Sequence, residues 1–141
     1  MSWASKLLLV IVVGLGSLLI RAPGASAATT PCKGPPPSVG AEVHGPVLDV
    51  VDGKTLCVAL GPTPDRWVAL KLAGAPPADL PNDRTDQARG ALMAVAFARN
   101  VTCRVVAADK AGRSAVCVLD GRSIVVRMRE HDAVSVGLAW R

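Results

Sequence analysis

The chain has 141 residues, and its 16 lysine and arginine residues against 11 aspartate and glutamate residues give a formal net charge of +5. This length suits a single domain of ordinary size, and the mildly basic charge is compatible with an anionic partner without requiring one. Aromatic residues make up only 3% of the chain, which is too few for the base-stacking platforms of proteins that bind single-stranded nucleic acid.

The N-terminal segment has the three parts of a secretory signal peptide. Lys6 provides a positive charge, an apolar run follows at 7–20, and residues 25–27, Ala-Ser-Ala, form a small-x-small cleavage site. Residues 1–27 are therefore predicted to be a signal peptide. Its removal lowers the formal net charge from +5 to +3, because Lys6 and Arg21 leave with it.

An uncleaved anchor helix is the alternative interpretation of this segment, but the apolar run is short for a membrane span of ~20 residues. No second apolar run is long enough to cross a membrane. The protein is therefore predicted to be periplasmic or secreted, without a membrane span once the signal is removed.

A proline-rich lead-in, residues 28–42, precedes the predicted domain at 43–141. Its proline, threonine and glycine residues predict an extended, poorly ordered segment, with Cys32 as its point of attachment to the domain.

Three strands are predicted to follow as a meander. Apolar and β-branched residues indicate strands at 43–51, 55–60 and 66–72. The Asp-Gly pair at 52–53, between the first two strands, is a strong signal for a two-residue hairpin turn.

A helix and two more strands are predicted after a proline-rich interruption. Asn82 or Asp83 is the predicted N-cap, and apolar residues at helical spacing predict a helix over 84–99. Strands are predicted at 101–107 and 115–119.

Two turns and a closing element complete the predicted domain. Residues 109–113 join the last two strands, and Asp120-Gly121 turns the chain again. The segment Ile124–Glu130 is interpreted as a short helix or an edge strand. The predicted fold class is therefore mainly β (α+β), a five-stranded antiparallel OB-fold barrel with a helix between strands three and four.

All four cysteines follow the predicted signal peptide, and an even number in an exported domain predicts two disulfides. Zinc is the alternative, but the chain has no C-x-x-C pair, and His44 and His131 are not at metal-ligand spacing.

The predicted strands suggest how the cysteines pair. Cys103 and Cys117 lie in strands four and five, on either side of a turn, where neighbouring strands can bring their Cβ atoms to bridging distance. This pairing leaves Cys57 in strand two and Cys32 in the lead-in as partners.

Four short motifs lie in a specific order along the predicted domain. They are Asp-Gly-Lys-Thr at 52–55, after a valine-rich strand; Lys-Leu-Ala-Gly-Ala-Pro-Pro-Ala-Asp at 71–79; Asp-Lys-Ala-Gly-Arg at 109–113, followed by Asp-Gly-Arg; and Gly-Leu-Ala-Trp at 137–140. In order and spacing they resemble the thermonuclease family, the staphylococcal-nuclease-like OB-fold barrels. The corresponding family motifs are Asp-Gly-Asp-Thr, Arg-Leu-Ala-Gly-Ile-Asp-Ala-Pro-Glu, Asp-Arg-Tyr-Gly-Arg with Asp-Gly-Arg, and Gly-Leu-Ala-Trp.

The resemblance implies candidate catalytic residues. Members of this family use calcium to hydrolyse phosphodiesters. Two arginines bind the phosphate, and a glutamate acts on the attacking water. The arginines are needed because the negative charge on the phosphate grows in the transition state and is stabilised by fixed positive charges. Arg113 matches the second arginine. Lys71 replaces the first, keeping the charge but losing the bidentate fork. Asp79 stands at the glutamate position with a shorter side chain.

The resemblance also implies that the calcium site is lost. Lys54 and Pro76 stand where the family has metal-binding aspartates, and Pro77 stands where another residue lends an oxygen. Calcium needs several oxygen ligands, and an ammonium in place of a carboxylate reverses the local charge. No metal or other cofactor is therefore expected, and Asp52 is expected to order its turn rather than bind metal.

Two functional hypotheses follow. In the first, the protein is a degenerate nuclease that binds nucleic acid or another phosphate-bearing anion through Lys54, Lys71 and Arg113 without efficient cleavage. In the alternative, it is an active or weakly active nuclease with altered metal dependence, in which Lys71, Asp79 and Arg113 carry the reaction. The same side chains could instead be ordinary surface charges on a small exported barrel. A monomer is expected in each case.

Overall fold

The computed structural model describes residues 31–75 and 82–138. The elements in this part are β1 (Glu42–Val50), β2 (Thr55–Ala59), β3 (Trp67–Leu72), α1 (Asn82–Ala96), β4 (Asn100–Asp109), β5 (Gly112–Leu119), β6 (Arg122–Ser123) and α2 (Ile124–Leu138). A single 3-10 turn, Pro64–Arg66, precedes β3. The predicted signal peptide and the site positions Pro76, Pro77 and Asp79 lie outside the described residues.

Five strands form a closed barrel, which confirms the predicted fold class. β1 pairs antiparallel with β2 and β4, β2 with β3, and β4 with β5. The barrel closes through a parallel pairing of β3 with β5, Lys71 opposite Ser114 and Leu72 opposite Ala115. The expectation of an all-antiparallel barrel is therefore wrong at this seam. Strand direction explains why, because four antiparallel steps from β3 through β2, β1 and β4 to β5 leave the two end strands pointing the same way.

The core fills the barrel and extends beneath both helices. Leu56, Leu70 and Val47 are fully buried inside the barrel, while Leu92 of α1 and Ile124 of α2 pack against the same core. Burial of these large apolar side chains is the main favourable contribution to folding. The helices therefore cover the barrel rather than forming a separate layer.

The lead-in is ordered where the structure describes it, so the expectation of a poorly ordered segment is wrong for residues 31–41, which we call the strap. The Cys32–Cys57 disulfide ties the strap to β2. Backbone hydrogen bonds tie it to the barrel at both ends: Lys33 N donates to Pro64 O (3.0 Å), Gly34 N to Trp67 O (2.8 Å), Gly40 N to Val105 O (2.8 Å), and Val105 N to Ala41 O (2.9 Å). These bonds satisfy three strap N–H groups and one strap carbonyl that disorder would leave to water.

Both predicted disulfides are confirmed. Cys103 and Cys117 are opposite residues of β4 and β5, with Cα atoms 4.0 Å apart. The Cα atoms of Cys32 and Cys57 are 5.6 Å apart. No free cysteine remains among the described residues, so none of them offers a thiolate for the zinc alternative.

The turn between β1 and β2 differs from its prediction. It spans residues 51–54 rather than two, and Val51 N donates to Thr55 O (3.0 Å). Gly53 has no positive φ there; glycine is needed for space instead, because a Cβ would lie 2.7 Å from the Cβ of Ala88 on α1. Asp120-Gly121 forms a two-residue turn between β5 and β6, at the predicted position, with φ values of 49° and 74°.

The helix boundaries also differ from prediction. α1 ends at Ala96, earlier than the predicted residue 99, because Ala98 has a φ of 60° and donates its N–H to Val47 O (2.8 Å). It begins at Asn82, so both proposed N-caps lie within it. The closing element is a helix, and it runs on to Leu138, past the predicted end at residue 130. None of the helices in the described ranges is both long and apolar enough to span a membrane.

Candidate functional site

Lys71 lies at the seam that closes the barrel. It is opposite Thr55 of β2 on one side and Ser114 of β5 on the other. Its side chain is half-buried and alternates with the buried Leu70 and Leu72, which places it on the outer face of β3. A Cβ on Gly112 would lie 3.7 Å from its Cε, so the stem of the lysine passes over the start of β5.

Lys54 lies beside the same end of β3. Its carbonyl oxygen accepts a hydrogen bond from Leu72 N (2.7 Å), which joins the β1–β2 turn to the residue after Lys71. Asp52 Oδ1 accepts a hydrogen bond from Lys54 N (2.8 Å). This is the turn-ordering role that was expected of Asp52.

Helix α1 packs against the β1–β2 turn and fixes its position. Gly53 packs directly on Ala88, and Arg89 Nε donates to the carbonyl oxygen of Val50 (3.0 Å). No role for Arg89 was predicted from the sequence. In the structure it fixes the position of the turn that carries Lys54.

Arg113 is held by the strap. Its Nε donates to Pro37 O (2.8 Å), and its side chain is half-buried. The turn before it resembles the Lys54 turn, because Asp109 Oδ1 accepts a hydrogen bond from Ala111 N (2.7 Å). The Pro37 contact was missed from the sequence, since the lead-in has no periodic pattern. The predicted Cys32–Cys57 bridge was the only signal that this segment returns to the barrel.

Lys54, Lys71 and Arg113, the three cations of the candidate site, give this end of the barrel a net positive charge. Within residues 31–75 and 82–138, none of them forms an ion pair. The ion pairs found there join Arg104 to Glu42, Arg122 to Glu130, and Arg127 to Asp120. The carboxylates nearest in sequence, Asp52 and Asp109, accept hydrogen bonds from turn amides rather than from these side chains.

The strap narrows access to the face of the barrel next to Lys71. Leu56 and Val58 of β2 belong to the core, so Cys57 and Ala59 lie on the opposite, outer face. Both are nevertheless buried. In OB-fold barrels, the face of the second and third strands and its two flanking turns bind ligands. Here the strap covers part of that face, where Cys32 is bonded to Cys57 and Gly34 N donates to Trp67 O (2.8 Å).

A metal-binding group is not seen in the described part of the chain, where no three His, Cys, Asp or Glu side chains lie close enough together to hold an ion. Only one of the positions that correspond to metal ligands lies in the described part of the chain. Lys54 is described, whereas Pro76, Pro77 and Asp79 lie outside the described ranges.

Comparison with known proteins does not identify a family for this chain. No protein-family model and no curated protein matches the chain. The thermonuclease relationship therefore stays a resemblance, supported by the sequence motifs and by the barrel in which they occur.

Proposed function

We propose that this protein is an exported, thermonuclease-like barrel that binds nucleic acid or another phosphate-bearing anion through Lys54, Lys71 and Arg113, without efficient cleavage. One observation carries the proposal. The Lys71–Ser114 pairing closes the barrel and joins the end of β3 to the start of β5, and the hydrogen bond from Leu72 N to Lys54 O holds the β1–β2 turn beside them. Each of these three segments contributes one of the cations.

Electrostatics support binding at this position. Lys54, Lys71 and Arg113 are half-buried, and charges that are partly shielded from solvent are screened by salt less than fully exposed ones. A phosphate would meet these cations without displacing a carboxylate from an existing ion pair, because the described residues form none with them.

The same residues favour binding over cleavage. Phosphodiester hydrolysis needs a positioned base and is accelerated by a metal that stabilises the developing charge. Lys54 brings an ammonium to the position where the resemblance expects a metal-binding carboxylate. Lys71 supplies charge but lacks the planar fork that orients a phosphate in two bonds at once.

The binding test uses a short fluorescent oligodeoxynucleotide and anisotropy titrations over a range of salt concentrations. Affinity should fall as salt rises. Each of Lys54→Ala, Lys71→Ala and Arg113→Ala should weaken binding and reduce the slope of log K against log salt by about 0.7 for a single strand. Lys33→Ala is the matched control, because it removes one exposed lysine near the start of β3, at the far end of the strand from Lys71.

Two outcomes would contradict this proposal. Equal affinity of all three variants and the parent would mean that these cations are ordinary surface charges. Efficient calcium-dependent cleavage of the oligonucleotide, abolished by Arg113→Ala, would favour the alternative of an active nuclease.

Calcium binding is tested separately by isothermal titration of the oxidised protein. We expect no one-site binding in the low-millimolar range or tighter, because Lys54 and Pro76 replace two carboxylates and calcium depends on several oxygen ligands. A clear one-site isotherm that Asp79→Ala removes would show that the carboxylates left in this region suffice, and the prediction would be wrong.

A further inference from the structure

A second cationic cleft lies between the two helices and the β5–β6 hairpin, and it shares no residue with the Lys71 site. We call it the helix cleft. Its volume is about 330 Å³, at the small end of the range for ligand pockets. The lining residues used below are Val95, Arg99, Arg122, Arg127, Glu130 and Val134.

Arg127 is the central residue of the cleft. Its Nε is buried, with no hydrogen-bond acceptor among the described residues. Its contact with Asp120 does not satisfy it, since that contact joins Nη2 to Oδ2 at 3.8 Å, beyond hydrogen-bond distance. The Asp120 side chain is also 72% exposed, whereas that of Arg127 is 23% exposed. Buried donors nearly always have an acceptor, so this one requires an explanation.

The other charges in the cleft leave room for an anion. Glu130 is already engaged, because its Oε1 accepts a hydrogen bond from Arg122 Nη2 (2.6 Å). In the described part of the chain, Arg99 has no ion pair and Arg127 has only the long contact to Asp120. A guanidinium binds carboxylate and phosphate oxygens through charge-assisted hydrogen bonds. Val95 and Val134 add an apolar wall, which suits a short hydrocarbon body joined to such a group.

We propose that the helix cleft binds a small oxyanion, a carboxylate or phosphate group, with its oxygens accepting hydrogen bonds from the partly exposed guanidinium of Arg127 and Arg99 supplying the second positive charge. The site is independent of the proposed function at Lys71. Its ligand is a small molecule or the terminal group of a larger one, since the cleft is too small for a folded partner.

The test follows the arginine Nε–H resonances of the ¹⁵N-labelled protein by NMR during titration with phosphate, acetate and butyrate, with chloride as the control for ionic strength. The Arg127 resonance should shift saturably with an oxyanion and stay unchanged with chloride. Tighter binding of butyrate than of acetate would identify a carboxylate with an apolar body, and tighter binding of phosphate would identify a phosphate group.

Single substitutions distinguish specific binding in the helix cleft from nonspecific attraction of anions to the basic protein surface. Arg99→Gln, followed at the Arg127 resonance, and Arg127→Gln, followed at the Arg99 resonance, should each weaken binding about tenfold or more, the loss expected for one charge-assisted hydrogen bond. Arg104→Gln makes the same charge change on an exposed residue of β4 outside the cleft and should have no effect. Glu130→Gln should strengthen binding several-fold, because it removes a negative charge from the cleft that repels an anion. Glu130 is 53% exposed, so this variant should fold normally.

Three results would overturn the proposal. The Arg127 resonance could fail to move with any of the oxyanions, as expected if only water occupies the cleft. It could shift equally with chloride, or Arg104→Gln could weaken binding as much as Arg99→Gln. The last two would indicate nonspecific attraction to a basic surface.

Discussion

Replacing Cys32 and Cys57 by alanine is expected to lower the free energy of unfolding by about 3.5 kcal/mol in the chain-entropy model, because the bridge spans 25 residues. Apart from the peptide bond that continues the chain into β1, it is the only covalent link between the described part of the strap and the barrel. The strap should therefore open more often in the variant and release Arg113 from Pro37. Denaturant unfolding measures the stability, and limited proteolysis within residues 31–41 measures the opening.

The matched control is the other bridge. Replacing Cys103 and Cys117 by alanine should cost about 3 kcal/mol in the same model, because a separation of 14 residues enters only as a logarithm. The two variants should therefore lose similar amounts of stability but differ in proteolysis, with faster cleavage of the strap only in the Cys32/Cys57 variant. Equal proteolysis of the two variants, or an unchanged stability in either, would contradict the role given to the strap.

Gly45→Ala is expected to destabilise the protein by about 3 kcal/mol or more, or to prevent folding, through overpacking. Gly45 is buried in β1 opposite Val101, and a Cβ there would overlap the carbonyl oxygen of Ala59. That oxygen belongs to the backbone of β2, which is paired on both sides and cannot move aside. Thermal and denaturant unfolding would measure the loss.

Gly90→Ala is the matched control for this substitution, and its effect should have the opposite sign. Gly90 lies inside α1, is exposed, and would meet nothing within 4 Å if it carried a Cβ. Alanine in a helix interior is favoured over glycine by about 0.5–1 kcal/mol, so the variant should be more stable. A stabilised Gly45→Ala protein, or a strongly destabilised Gly90→Ala protein, would show that the backbone spacing described here is wrong.

The order of the strands and of α1 could be predicted because it depends on sequence patterns within each element and turn. β3 alternates buried and half-buried residues along its whole length, and Asp120-Gly121 supplies the positive φ values of a tight hairpin. The four-residue turn before β2 could not be predicted, since its length depends on Gly53 fitting against Ala88 of a later helix. Contacts of this kind join residues that are distant in sequence.

In the candidate site, too, some features could be predicted from local sequence patterns and others could not. Lys54, Lys71 and Arg113 were found through motifs that lie within single turns or strands. The strap contact to Arg113 depends on Pro37, in a segment with no periodicity, and was missed. The helix cleft has no sequence signal at all, because its arginines come from separate elements that only the packing of α1 against α2 brings together.

The closed barrel also limits how another protein could recognise this one. An unpaired strand edge offers backbone amides and carbonyls to which a foreign peptide can add as a further strand. The outer edge of β3 is occupied at both ends, by Gly34 of the strap at Trp67 and by β5 at Lys71 and Leu72. The outermost strand, β6, has only two residues. In residues 31–75 and 82–138, these edges of β3 and β6 therefore offer little template for strand addition by another chain.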